Sequence, residues 1–372
     1  MSERYDIAVL GASPAGCAAA SILAAAGLRV ALVELPPGSS CESPLADWVP
    51  RDFWRLPGVP PATERSCGGS PFRIIRYHDA RFARQAQIAL RPSGGSLIRH
   101  AALAAAMAEG ARKAGAKLCR LTERPLIRLC EESVLLAGRH PLAARILLIA
   151  QGAPQDTMSD LSLPVRPHGR SQFVAAGLDV PMPPGRTPKE LQATLSLVAG
   201  RQRGKMGMFF ALGDRLHVRL VWTSPPASAA AELSAFFSEL QKAGLAAGDL
   251  SLRAAKGAMW RPPAGEALEL ETHSAKRCLL LGTAGGFADS ITGQTLYPSV
   301  RSAAIAAKAA RAALAAPNPQ EPLLHYKNEW REALADGLRP PSTSVDMLLP
   351  LLMSNRRLVA KFTRAMLSGQ SI

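Results

Sequence analysis

The chain has 372 residues, of which 48% are hydrophobic and 5% aromatic, and it carries a formal net charge of +15. This length suits one large domain or two closely joined domains with a substantial core. Six scattered cysteines without a Cys-x-x-Cys pair argue against a zinc site and indicate a reducing compartment. The low aromatic content, without a recognised nucleic-acid module, argues against nucleic-acid binding.

The positive charge is spread along the chain rather than gathered in one tail. It suits an acidic protein partner, a carrier protein or an anionic membrane surface, and a generally basic composition is the alternative explanation. No apolar run is long enough to predict a transmembrane segment. The segment 345–353 is apolar but contains Asp346 and Pro350, which predicts a packed or surface-binding helix. Residues 1–4 lead directly into a predicted strand, so we expect no signal peptide and a cytoplasmic location.

The first predicted unit is a strand, a glycine turn, a helix and a second strand within residues 5–34. Gly11 allows a tight turn, and Gly16 lets the helix pack close to the strand. Glu34 follows at a distance where a carboxylate accepts hydrogen bonds from ribose hydroxyls. Ser13 replaces the middle glycine of this fingerprint, so we expect its Cβ to crowd a bound phosphate. The unit predicts an adenine-dinucleotide site, and an ordinary βαβ unit with a glycine turn is the alternative.

Proline, glycine and serine are frequent over residues 35–72, which predicts loops with short helical pieces. A long helix is predicted from Ser96, as its cap, to Ala114, with Gly115 ending it. Strands are predicted over 72–77, 87–90, 117–121, 126–130, 133–136 and 145–150.

The second half of the chain predicts a β-rich middle and a helical end. Met206–Leu212 and Leu216–Trp222 flank a Gly-Asp turn and predict a hairpin. A helix is predicted over 228–243 with Ser228 as its N-cap. A buried strand over 278–281 then meets a glycine-rich segment. A long helix is predicted over 296–315, and a C-terminal helical region is predicted after the segment Pro317–Pro322, to about Ser368.

Five segments, in order and spanning nearly the whole chain, carry a resemblance to a known family. They are Gly11-Ala12-Ser13-Pro14-Ala15-Gly16 with Glu34, Leu97-Ile98-Arg99, Leu147-Leu148-Ile149-Ala150-Gln151-Gly152-Ala153, the strand Gly207–Asp214, and the segment Leu281–Leu296. Together they resemble the FAD-dependent hydroxylase, halogenase and geranylgeranyl-reductase group of flavoproteins, whose fold is like that of p-hydroxybenzoate hydroxylase.

The resemblance implies an α/β fold, with a Rossmann-like FAD-binding domain, an inserted and mostly antiparallel β substrate domain, and a C-terminal helical region. The implied boundaries are 1–75, 96–155 and 266–316 for the FAD-binding domain, 76–95 and 156–265 for the substrate domain with its sheet and helix, and 317–372 for the helical region.

The resemblance also implies a set of FAD-binding residues. They are Gly11, Ser13, Pro14, Ala15, Gly16, Glu34, Arg99, Gln151, Gly152, Gly282, Thr283, Gly293, Gln294 and Thr295. The turn 292–295 opens a helix and would aim N–H groups at the pyrimidine edge of the flavin. Gln151 and Thr283 stand where the family has aspartates, and a neutral hydrogen bond is weaker than a charge-assisted one by about 1 kcal/mol. We therefore expect weakened FAD binding.

The activity implied is that of an FAD-dependent monooxygenase reduced transiently by NAD(P)H, which hydroxylates an aromatic substrate through a flavin C4a-hydroperoxide. The substrate would be free, carrier-bound or a tryptophan side chain of a partner protein. Pocket candidates are Phe209, Phe210, His217 and Trp222, which are equally compatible with a plain core. The halogenase signature Trp-x-Trp-x-Ile-Pro is absent, so halogenation is disfavoured.

Two alternatives stay open at this point. A prenyl or lipid double-bond reductase like geranylgeranyl reductase would need a long apolar tunnel, capped by 348–353. A degenerate flavoprotein serving as a binding or scaffold subunit is suggested by Gln151 and Thr283.

Overall fold

The computed structural model describes residues 3–36, 43–150, 159–163, 173–183, 185, 187–200, 204–340 and 345–368. The strands are β1 (Glu3–Leu10), β2 (Val30–Glu34), β3 (Ala46–Pro50), β4 (Ser70–Phe72), β5 (Ile74–His78), β6 (Gln85–Ala89), β7 (Gly95–Arg99), β8 (Lys117–Arg120), β9 (Leu126–Leu129), β10 (Val134–Ala137), β11 (Leu142–Ile149), β12 (Val174–Pro181), β13 (Thr194–Ala199), β14 (Lys205–Leu212), β15 (Arg215–Trp222), β16 (Lys256–Trp260), β17 (Ser274–Ala275) and β18 (Cys278–Leu280). The helices are α1 (Pro14–Ala25), α2 (Thr63–Ser66), α3 (His100–Lys113), α4 (Ala229–Lys242), α5 (Glu266–Glu269), α6 (Leu296–Ala315), α7 (Gln320–Leu338), α8 (Val345–Leu352) and α9 (Arg356–Ser368).

A parallel sheet of β18, β11, β1, β2 and β8 forms the first layer, and β17, β10 and β9 extend it with antiparallel pairs. Ile7 of β1 lies beside Val30 of β2 and Ile146 of β11. These strands are apolar on both faces, as a covered parallel sheet requires. Helices α1, α3, α6 and α7 contribute to the core on one face. The carboxyl ends of β1, β2 and β18 meet at one edge, which is where open α/β sheets bind their ligands.

The second layer is a seven-stranded sheet in the order β16-β12-β15-β14-β13-β5-β6, antiparallel except for the β13–β5 pair. Its strands come from two separate parts of the chain, before β7 and after β11. Helix α4 covers one face. Helices α8 and α9, together with the small sheet β3-β7-β4, cover the other face. This second face therefore looks toward the rest of the molecule.

The predicted architecture is confirmed: a parallel α/β sheet, an antiparallel sheet from the middle of the chain and C-terminal helices. The hairpin β14–β15, the helix Leu296–Ala315 and the Ser228 cap, whose hydroxyl accepts from the Ala231 N–H, are as predicted. The domain boundaries stay a prediction. Across the described ranges, no helix combines the length and apolarity needed to cross a membrane.

One predicted helix start was wrong. The segment 95–99 is strand β7, paired with β3 and β4, and α3 begins at His100. The Ser96 hydroxyl accepts a hydrogen bond from Trp54 Nε1 at 3.1 Å and donates one to Glu64 at 2.7 Å, so it does not cap a helix. Strand pairing with distant residues overrides the local cap signal here.

Candidate active site

In the turn between β1 and α1, the backbone at Gly16 lies very close to the backbone at Gly11. Gly11 has a φ of +109°, and a Cβ on Gly16 would lie 2.0 Å from the Gly11 carbonyl oxygen. Ser13 has an ordinary extended conformation, accepts a hydrogen bond from the Gly16 N–H at 3.3 Å, and donates one to the Ala150 carbonyl at 3.1 Å. Pro14 occupies the first turn of α1, where no N–H is needed. The serine is therefore a helix N-cap that also ties the turn to the end of β11.

Glu34 lies at the carboxyl end of β2, as the fingerprint predicts, and it already has a partner. The Nε of Arg120, at the end of β8, donates to Glu34 Oε2 at 2.8 Å. Both side chains are solvent-exposed. Within the described chain, the other carboxylate oxygen of Glu34 has no hydrogen-bond partner, so a ribose hydroxyl would share this carboxylate with a guanidinium.

The second glycine turn packs against the first. Gly282 follows β18 with a φ of +58°, and a Cβ there would lie 2.8 Å from Ala15 Cβ. The Gly282 N–H donates to Ser302 Oγ at 2.9 Å. Thr283, the next residue, is 2% exposed. The fold thus brings the first and fifth sequence segments together, with Thr283 buried beside them.

The loop before α6 is held by Asp289. Its carboxylate accepts from the N–H groups of Ile291 and Thr292 at 3.0 and 2.6 Å, and from the Thr292 hydroxyl at 2.9 Å. Burial raises the pKa of Asp289, and these hydrogen bonds oppose that rise. Gly293 in this loop has a φ of +67°. The loop is therefore fixed before α6 begins.

Gln294 links this loop to the small sheet. Its Nε2 donates to the Trp48 carbonyl of β3 at 3.0 Å, while its Oε1 accepts from the Tyr297 N–H at 3.2 Å. Thr295, also buried, occupies the N-cap position of α6. A Cβ on Gly293 would meet Phe173 at 2.8 Å, so one side of the loop is already covered.

These residues fit FAD. A glycine turn at the N-terminus of α1, a second glycine turn after β18 and an acid at the end of β2 are groups that a dinucleotide cofactor needs. Gln151 and Gly152, also predicted to contact FAD, lie outside the described residues. Arg99 is half exposed and pairs with Asp214 of the β14–β15 turn at 3.4 Å, so it extends toward the second sheet.

A polar group lies on the face of the second sheet that looks toward the small sheet. His217 pairs in register with Phe210 on one side and Asp179 on the other. The ring centroids of Phe210 and His217 are 5.2 Å apart, and His217 Nδ1 lies 3.5 Å from Asp179 Oδ1. Although His217 is only 5% exposed, neither of its ring nitrogens has a hydrogen-bond partner among the described residues, and the same holds for Asp179 Oδ1.

The electrostatics of this group keep the imidazole neutral. Burial, and then the positive charges of Arg99 and Arg219, lower the pKa of His217 to about 3. Burial raises the pKa of Asp179, and Arg215, at 3.6 Å, opposes that rise. At neutral pH the ring therefore offers one N–H donor and one nitrogen acceptor.

A buried ion pair connects this face to the loop that holds Gln294. Arg219 Nη1 donates to Asp47 Oδ1 at 3.2 Å, and its Nη2 donates to the Ala46 carbonyl at 3.0 Å. The guanidinium also lies 5.0 Å from the ring centroid of Trp260. Because Asp47 precedes Trp48 on β3, a continuous chain of contacts runs from the glycine loop to the sheet face.

Sequence reasoning missed Asp47, Asp179, Arg215 and Arg219. The available signal was the alternation of Arg215, His217 and Arg219 in an otherwise apolar strand, which puts three polar side chains on one face.

A correction applies to two predicted pocket residues. Phe209 lies on the α4 side of the sheet, with its ring centroid 6.5 Å from that of Phe236, and Trp222 packs beside Leu233 of α4. Because side chains alternate along a strand, Phe209 and Trp222 face away from Phe210 and His217. The structure brings Phe210 and His217 together and removes the other two from the predicted pocket.

No protein-family model matches the chain, and no curated protein sequence matches it significantly. Solved structures share its fold over nearly its full length. A geranylgeranyl bacteriochlorophyll reductase-like protein from Thermoplasma acidophilum is 16% identical, with 98% of this chain and 96% of that chain covered and a TM-score of 0.78. PqsL of P. aeruginosa, in complex with 2-aminobenzoylacetate, is 19% identical, with 97% and 100% covered and a TM-score of 0.68.

A variant of the halogenase PltM in complex with FAD is 15% identical, with 97% of this chain and 79% of that chain covered and a TM-score of 0.70. At such identities the likeness establishes the fold alone. The chain has the fold of this group of flavoprotein oxidoreductases, which confirms the fold expected from the five sequence segments.

Proposed function

We propose that this protein is an FAD-dependent monooxygenase that takes a ring-bearing substrate with a polar substituent and uses NAD(P)H as reductant. The observation that carries the proposal is the unpartnered buried imidazole of His217 beside Asp179. Buried polar atoms without partners cost free energy and are rare in native proteins. A ligand with a hydroxyl or N–H group would supply the missing hydrogen bonds.

The same observation favours an aromatic substrate over a lipid chain. The ring centroid of Phe210 lies 5.2 Å from that of His217, so Phe210 would give an aromatic substrate an apolar neighbour beside the imidazole. A prenyl chain on this face would leave Nε2 of His217 without a hydrogen-bond partner. One solved relative in fold holds 2-aminobenzoylacetate, an aromatic ring with an amino group.

The chain's own residues have separable tasks under this proposal. The N-terminus of α1 and the Gly11–Gly16 turn would hold the pyrophosphate of FAD, and Glu34 its ribose. Thr283 would bond the ribityl chain. FAD, when bound, supplies the redox chemistry.

On the sheet face, His217 would accept a hydrogen bond from the substrate at Nε2 while Asp179 accepts one from Nδ1–H. The hydrogen bond to Asp179 would fix the tautomer of His217 and orient its imidazole ring. Arg219 and Asp47 hold the small sheet against this face. NADH or NADPH as reductant, a free, carrier-bound or protein-borne substrate, and a cytoplasmic location are parts of this proposal.

A prenyl or lipid double-bond reductase is the second candidate. The observation favouring it is the similarity to the T. acidophilum protein, which covers nearly all of both chains. This candidate needs an apolar tunnel at the flavin. Beside Gln294 and Thr292 the described residues enclose a cavity of about 40 Å³, which also touches Trp48 and Met366. A tunnel for a prenyl chain would have to open from there.

The test is a turnover assay with FAD and NAD(P)H on phenols, anilines, indoles and a geranylgeranyl lipid. We expect substrate-dependent oxygen uptake and one added oxygen atom in an aromatic product, read by mass spectrometry. His217→Phe should lose that turnover but keep FAD reduction. The matched control Phe209→Leu, on the opposite face, should retain both.

Three outcomes would contradict the proposal. Anaerobic reduction of the lipid without oxygen incorporation would favour the reductase. Failure of the folded protein to bind FAD would favour a scaffold subunit. Unchanged turnover in His217→Phe would show that the activity does not depend on this sheet face.

A further inference from the structure

The two C-terminal helices share one face of the second sheet. Helix α8 packs over β13 and helix α9 over β6, and both contribute to a single apolar core with the sheet. Their buried side chains are Leu348, Leu349, Leu352, Val359, Phe362 and Met366. Because both helices turn their apolar sides to the same sheet, their outer faces point to the same side of the molecule.

The outer face of α8 carries an exposed apolar pair. Met347 is 63% exposed and Leu351 is 52% exposed. They are four residues apart, so they lie one above the other on the helix surface. Large hydrophobic side chains with this exposure are few in the described chain, and two of them are neighbours here.

The outer face of α9 carries several positive charges. Arg356, Arg357, Lys361 and Arg364 are exposed. None of them has an ion-pair or hydrogen-bonding side-chain partner within the part of the chain that the structure describes. The sequence has no Asp or Glu between Met347 and Ile372. Elsewhere, exposed cations such as Arg112 and Lys308 have carboxylate partners.

We propose that the outer faces of α8 and α9 form a docking surface for a bilayer that contains anionic phospholipids. Helices that bind at a membrane interface combine cationic side chains with exposed apolar side chains. Each basic residue near such a surface adds attraction to anionic headgroups. A stable protein–protein interface buries about 800 Å² on each partner, which two apolar side chains do not provide. A bilayer accepts two such side chains at its headgroup boundary.

The test is flotation of the full-length protein with vesicles of phosphatidylcholine alone or of phosphatidylcholine with phosphatidylglycerol. We expect binding only to the anionic vesicles, weakened by added salt. The triple variant Arg357→Gln/Lys361→Gln/Arg364→Gln should bind on the order of 100-fold more weakly. Met347→Ser/Leu351→Ser should also bind more weakly, but it should keep the salt dependence of the wild type because it retains every cation.

Matched controls separate this surface from the general charge of the chain. Arg128→Gln/Arg139→Gln/Arg253→Gln removes three exposed cations elsewhere, and Leu324→Ser removes an exposed apolar side chain of α7. Both controls should bind like the wild type, and thermal unfolding would verify that every variant is folded.

Two results would overturn the proposal. The first is that the wild type does not float with anionic vesicles, which leaves an acidic protein as the partner for the charge. The second is that the control triple variant loses as much binding as the α9 triple variant, which assigns the attraction to net charge.

Discussion

Ser13 has a structural role that the glycine it replaces in the fingerprint lacks. Its hydroxyl caps α1 and bonds the end of β11. Ser13→Ala should therefore lower the free energy of unfolding by about 1 kcal/mol. Urea denaturation measures this, with Ser228→Ala, at the cap of α4, as a comparison of similar size. An unchanged midpoint for Ser13→Ala would contradict the assigned cap.

Two buried histidines make the fold sensitive to acid. Burial and then Arg76 lower the pKa of His78 to about 4, and the pKa of His217 is about 3. Below about pH 6.5 the unfolded chain binds protons that the folded chain does not, so stability is full above that pH and falls as the pH drops toward these values. Each proton contributes a slope of at most about 1.4 kcal/mol per pH unit.

His78→Phe should flatten that slope. The ring lies between Phe82 and Phe209, at centroid distances of 5.3 and 5.6 Å, so an aromatic replacement suits the site. Chemical denaturation at a series of pH values would show a smaller loss of stability between about pH 6.5 and about pH 4. An equally steep loss in the variant would show that His78 is not a source of the acid sensitivity.

Helix α9 is anchored to the second sheet by one aromatic side chain. Phe362 is fully buried, with its ring centroid 5.7 Å from that of Tyr77 on β5, and Thr363 bonds the Tyr77 hydroxyl at 2.7 Å. Phe362→Ala should cost about 3–5 kcal/mol of stability, and Phe362→Leu clearly less. Urea unfolding distinguishes them. Equal and small losses would mean that α9 is not packed as described.

Among helices and strands, the sequence predicted those whose ends are set by residues close by in the chain. Leu296–Ala315 has matching predicted and observed bounds, because the preceding glycine loop and the following prolines punctuate it. Ser96 satisfied a local cap rule but lies in a strand, since pairing with β3 is decided by residues about fifty positions away. The alternation of polar residues at 215, 217 and 219 was visible in the sequence. The residues of other strands that pair with them were not.

At the scale of the whole molecule, Asp47 and Arg219 join the small sheet to the second sheet. Both are buried, so removing one partner leaves an uncompensated charge. Arg219→Met should cost about 3–5 kcal/mol, and the double variant Arg219→Met/Asp47→Leu should recover much of that loss. A double-mutant cycle by denaturation measures the coupling. Additive losses would contradict a shared ion pair.

Much of the candidate cofactor site followed from sequence because its residues lie in short motifs. Gly11, Gly16 and Gly282 meet at one sheet edge, as the motifs implied. The sheet-face group did not follow, because Asp47, Asp179 and Arg219 come from three distant strands and each alone looks like an ordinary polar residue. Only the register of β12 and β15, and the packing of β3 on them, brings the group together.

Under the proposed function, the two glycine turns hold FAD in a form that NAD(P)H can reduce. The most direct measurement is the visible spectrum of the folded protein during titration with FAD, followed by anaerobic NADPH. We predict saturable binding with the bands of protein-bound flavin, and their bleaching on addition of NADPH. A folded protein that leaves the spectrum of free FAD unchanged at high cofactor concentration would contradict this account of the site.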